Sequence, residues 1–82
     1  MNVKYKKYEI IEDYRIALDE TWEVFGSRFA EETGVPWKTL YKTVHGITSP
    51  NARTAHKIEL WYNKHIDDMV VKITEHIHSL KP

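Results

Sequence analysis

Apolar positions recur at helical spacing along almost the whole chain. Ile11, Tyr14 and Leu18 stand three and four apart with Ile10 and Ala17 on the flank, which predicts a first helix over 9–18. Trp22, Phe25, Phe29 and Thr33 repeat the pattern and predict a second helix ending at Gly34, with Asp19 or Thr21 as its cap. Gly26 falls inside that helix and weakens it by ~1 kcal/mol relative to Ala, so a loose or separate first turn is expected. Proline pre-sets its own φ and restricts the residue before it, so Val35-Pro36 marks a turn and a helix start. A third helix follows from near Pro36 to Gly46. Ile47 to Pro50 reads as a loop leading to a cap, with Thr48 or Ser49 at the N-cap and Pro50 in the first turn.

Within the third helix Trp37, Leu40 and Val44 share one face, while Lys38, Tyr41, Lys42 and His45 share the other. The first face belongs to a core; the second is free to meet a partner. From Asn51 to Leu80 there is neither glycine nor proline. Ala55, Ile58, Trp61 and Tyr62 form one apolar set, and Ile66, Val70, Ile73, Ile77 and Leu80 form a second with the 4, 3, 4, 3 spacing of a heptad seam. A break near Asn63 divides the two, although one long helix fits the periodicity nearly as well. The fold class expected is thus all-α, a small bundle of about five helices. Residues 1–8 fit a helical extension, a short strand or a frayed arm.

Eighty-two residues make one domain, with 41% hydrophobic and 29% charged positions, as in a soluble globular protein. No apolar run approaches the roughly 20 residues of a membrane span. The basic start of the chain leads into acidic residues, so no secretory signal is read, and a cytoplasmic location is the default expectation. The absence of cysteine removes disulfides and thiolate metal sites. Net charge is zero, yet from Thr33 to Lys57 the chain carries Lys38, Lys42, Arg53 and Lys57 with His45 and His56 and not one acid. A neutral protein with such a window can present a positive face to phosphates.

The informative stretch runs from Ser27 to Trp61. Ala30 stands four residues before Gly34, Val35 follows that glycine, Leu40 comes five later, and Gly46 closes the third helix. Alanine lets two helices cross closely, glycine supplies the left-handed turn, and the aliphatics pin the second helix to the core. This spacing resembles the lambda repressor and Cro-like (Xre-type) helix-turn-helix family, including a tail in which proline follows Gly46 and a helix then carries Thr54-Ala55 and Lys57-Ile58. The chain departs from the family in three places. Thr43 stands where an aliphatic is usual, a contact that a small rotation turning Val44 inward would supply. Pro36 stands where a polar cap is usual, and Gly26 and Ser27 stand where the second helix usually begins with glutamine.

The resemblance implies a double-stranded-DNA-binding regulator, a repressor acting as a homodimer on a palindromic operator, with a recognition helix over 37–45. Lys38, Thr39, Tyr41, Lys42 and His45 would face base edges, where lysine donates to guanine and tyrosine can touch a thymine methyl. Ser27, Arg28, Thr48, Ser49, Asn51 and Arg53 would lie near helix N-termini and hold phosphate.

Plainer readings stand beside these. The polar face of the third helix can be ordinary surface, though it lacks acids and Tyr41 is an odd choice for solvent. Trp37, Trp22 and Trp61 read as core anchors. His76 and His78 point about 200° apart on a helix, which makes no zinc site, and they suit the helix C-terminal dipole. Neither a cofactor, a small-molecule ligand nor catalytic chemistry is evident in any motif. The seam of Ile66, Val70, Ile73, Ile77 and Leu80 either completes the protomer's core or, as favoured here, makes residues 64–80 the dimerisation element. The alternative function is a protein-interaction module, such as an antitoxin or phage-encoded inhibitor, that binds a protein through the same fold.

Overall fold

The computed structural model describes residues 4–80, with side chains from Tyr8 onward. Four α-helices and no strand occupy the described residues: α1 (Lys4–Ala17), α2 (Trp22–Thr33), α3 (Trp37–Val44) and α4 (Ala52–Ser79). The all-α class follows the periodicity, but the number of helices is four instead of about five. Residues on both sides of Asn63 explain the difference. Ile58, Trp61, Ile66, Met69 and Ile73 all turn toward the core, so a single stripe crosses the expected break and Asn63 simply lies on the exposed side. At about 1.5 Å per residue, the 28 residues of α4 match the 42 Å long axis of the molecule. The helical stretch from Lys4 settles most of the N-terminal segment as an extension of α1; residues 1–3 lie outside the described residues.

Local chemistry sets the boundaries. Thr21 caps α2, its Oγ1 accepting from the Val24 amide at 3.2 Å. Asp19, in the preceding turn, takes a positive φ of 56°, which its short polar side chain tolerates. Gly34 ends α2 at φ 75° with its N–H on the Ala30 carbonyl, the left-handed close for which glycine is suited. The start of α4 differs from expectation. Asn51, not Thr48 or Ser49, is the N-cap, with Oδ1 accepting from the Thr54 amide at 2.8 Å, and Pro50 stands before the helix.

The core draws on every helix: Ile11 and Tyr14 from α1, Phe25 and Phe29 from α2, Leu40 from α3, and Ile58, Trp61 and Met69 from α4, with Val35 from the turn. Edge-to-face ring pairs join three helices, Tyr14 to Phe25 at 5.9 Å, Phe25 to Trp61 at 5.9 Å and Phe29 to Trp61 at 5.1 Å. The Tyr14 hydroxyl donates to the Asp68 carboxylate, binding α1 to α4, and burial with this hydrogen bond pushes the tyrosine pKa well up. His65 and Lys64 of α4 meet Glu32 of α2 at 2.9 and 3.6 Å. α3 packs on this frame against α2 and α1.

Candidate nucleic-acid interface

The orientation of α3 is fixed at two points. Leu40 and Thr43 face inward, at 0% and 3% exposure. The buried Thr43 hydroxyl donates to the Thr39 carbonyl at 2.9 Å, so threonine fills the place of an aliphatic without an unpaired polar group. Val44 is half-buried beside it, and no rotation of the helix is needed to complete the core. The second point is Gly26. It is buried inside a regular α2, not at a loose turn, and a Cβ there would stand 2.3 Å from the Cβ of Trp37. The two helices therefore cross at Gly26, while Ala30 is half-buried further along.

The outer face of α3 presents Lys38, Tyr41 and Lys42, all exposed, with Thr39 half-buried at its edge. Neither lysine forms an ion pair with an acid among the described residues. Tyr41 lies 5.3 Å from the Trp22 ring, edge-to-face, and 4.2 Å from His45. His45 caps the end of α3, one residue short of the expected helix. Its Nδ1 is 2.9 Å from the Tyr41 carbonyl, which makes that nitrogen the donor, and Nε2 is 3.2 Å from Glu12 of α1. His45 is thus held toward α1, apart from the two free lysines.

The residues expected at phosphates divide similarly. Ser27, Thr48, Ser49 and Arg53 are exposed, and Arg53 stands in the first turn of α4. Asn51 is exposed too, but its side-chain oxygen is occupied by capping. Arg28 makes a two-pronged bond to Glu20 at 2.8 and 2.5 Å and lies 5.9 Å from the Phe25 ring. That bond lowers the Glu20 pKa and raises that of Arg28, so the guanidinium is already neutralised by a carboxylate.

Three further side chains belong to this face. Trp37 is not a core residue of the Leu40 kind: it is half-buried and lines an open cleft of about 330 Å³ with Trp22, Lys38, Tyr41, Lys42 and Ile47. Trp22 also packs against the core through Phe25 at 5.8 Å, and the Arg15 guanidinium covers it at 5.2 Å. Ile47 is 62% exposed. The signal in the sequence is Gly26, since a glycine within a helix marks close approach of another element, here the base of the Trp37 side chain.

The C-terminal seam is split. Ile66 and Ile73 pack against the protomer's core, whereas Val70, Ile77 and Leu80 are exposed at 56%, 49% and 70%. No group of three or more His, Asp or Glu among the described residues is placed to hold a metal ion, and no described helix is long and apolar enough to cross a membrane. No protein-family model matches the chain, and neither a curated protein nor a solved structure proved similar to it.

Proposed function

We propose that this chain is a sequence-specific regulator that binds duplex DNA, a helix-turn-helix protein in which α3 enters the major groove and the far half of α4 pairs two protomers. The observation that carries this reading is the face of α3: Lys38, Tyr41 and Lys42 are exposed together within a stretch from Thr33 to Lys57 that contains no acid. Lysines without acidic partners attract phosphate and donate to base edges, and the exposed Ser27, Thr48, Ser49 and Arg53 are available as contacts to the DNA backbone. Selection of bound sites from a random duplex pool tests the reading. An enriched sequence is expected, with affinity falling by orders of magnitude from low to moderate salt if about six phosphates are met. A flat salt response, or no enrichment, overturns it.

One observation favours a second reading, a module that binds a protein. The engagement of Arg28 by Glu20 neutralises one of the expected phosphate contacts, so the surface is less cationic than its sequence suggests. An apolar protein interface would hold at salt concentrations that displace DNA.

A further inference from the structure

The cleft beside α3 has an apolar wall drawn from two helices and a loop. Trp22 comes from the first turn of α2, Trp37 and Tyr41 from α3, and Ile47 from the loop after it, while Lys38 and Lys42 stand at the rim. Trp22 and Tyr41 meet edge-to-face at 5.3 Å, and Trp22 is braced from behind by Phe25. One wall of the cleft is therefore held by the core through Trp22, while Ile47 on the loop is 62% exposed. Its apolar interior cannot satisfy a hydrogen-bonding group, so a buried donor or acceptor there would be left unpaired. It suits an apolar group carried on an anionic scaffold, because the two rim cations have no acidic partner among the described residues.

We propose that this cleft reads the 5-methyl group of thymine, so that the site bound by α3 contains thymine at the position facing Trp22, Trp37, Tyr41 and Ile47. The inference rests on the DNA-binding reading and names the base that the apolar part of the face selects. Thymine's methyl is the apolar feature of the major groove edge; cytosine lacks it and presents an amino donor where thymine has its O4 acceptor. Lys38 and Lys42 at the rim then meet guanine acceptors or phosphates beside it.

The test uses the full chain and the site recovered from the random duplex pool. Each thymine in it is replaced in turn by deoxyuridine, which removes the methyl and leaves every hydrogen-bonding group. Affinity is expected to drop about fourfold at the facing position, the loss of one buried methyl, and to stay level elsewhere. In Ile47→Ala and Tyr41→Ala, whose side chains are mostly or partly exposed, the thymine-to-uracil ratio should fall toward one, with circular dichroism confirming the fold. An enriched site in which no thymine is sensitive to deoxyuridine overturns the inference while the DNA reading stands. Failure of the pool to yield any site overturns both, and acidic peptides with an apolar anchor binding in its place would give the cleft to a protein partner.

Discussion

Gly26 and Trp37 touch where α2 crosses α3, and a methyl group added to the glycine would come within 2.3 Å of the tryptophan Cβ. Trp37 Cβ is fixed to the backbone of α3, so the clash can be relieved only by moving α2 and the helix that carries Lys38, Tyr41 and Lys42 apart. Gly26→Ala gains up to ~1 kcal/mol of helix propensity, but overpacking costs about 1–3 kcal/mol. The variant is expected to be less stable in urea unfolding and to bind DNA less tightly. A variant more stable than the wild type with unchanged affinity would show that α3 has room to shift.

On the proposed DNA-binding reading, the base-reading and positioning roles on this face should be separable. Lys42→Ala and Tyr41→Ala should each relax preference at particular base pairs, by roughly 1–3 kcal/mol, while Arg53→Ala should weaken all sequences about equally. Binding profiles over a randomised site decide the matter. Equal, sequence-independent losses in all three variants would place the reading face elsewhere.

Much of this arrangement is legible in the chain. Three-and-four spacing gives α1 and α2, Gly34 and Pro36 give the turn, and Leu40 gives the inward side of α3. What escapes is what depends on partners far away in sequence. Glu20 and Glu12 lie outside the acid-free stretch yet reach Arg28 and His45, because folding brings α1 and the following turn beside α2 and the end of α3. Trp37 shares a helical face with Leu40, but the short α3 passes over Gly26 and leaves the indole half-buried in the wall of the open cleft. Asn63 reads as a break because it stands between two apolar sets, but it lies on the outer side of α4 and interrupts no inward stripe.

Glu20 offers a test of the charge balance. Its carboxylate neutralises Arg28 beside Ser27, where phosphate contact is expected. Glu20→Gln removes that negative charge and frees the guanidinium, so affinity for DNA should rise several-fold at low salt with a steeper salt dependence. Titration of one duplex at several salt concentrations measures both. Unchanged affinity and slope would place Arg28 away from the phosphates.

Acid should loosen the frame through two carboxylates. The hydrogen bond from Arg28 lowers the Glu20 pKa, and that from His65 lowers the Glu32 pKa. A depressed folded-state pKa contributes stability above the unfolded value, roughly pH 4.3 for Glu, and loses it as the pH falls through the folded value. Asp13 has the opposite sign, its pKa raised by burial and by Glu9 and Glu12. The comparison is therefore between the wild type and Glu20→Gln/Glu32→Gln. Urea midpoints from pH 7 to pH 3 should fall less steeply below roughly pH 4.3 in the double variant. Parallel curves would mean these contacts persist in the unfolded chain or contribute nothing.

The seam on α4 leads to the last expectation, a two-fold dimer held by Val70, Ile77 and Leu80. Ile73 is a poor probe of it, because it packs against the protomer's own core and an aspartate there would damage the fold. Val70 and Ile77 stand seven apart on one line of the helix, about half exposed, with Leu80 more exposed at its end. Completing the burial of such a side chain is worth on the order of 1 kcal/mol, and an isologous contact counts each residue twice. The total, on the order of 6 kcal/mol, lies near the lower bound of what association costs. The free protein should therefore dimerise only weakly, with Kd in the millimolar range or above, and pair fully on a palindrome whose half-sites lie roughly 34 Å apart. Val70→Asp/Ile77→Asp should sediment as a monomer with unchanged helical circular dichroism and should lose cooperative binding to the palindrome while keeping affinity for a single half-site. If the wild type stays monomeric on the palindrome, or the double variant binds it with undiminished cooperativity, α4 does not pair the protomers.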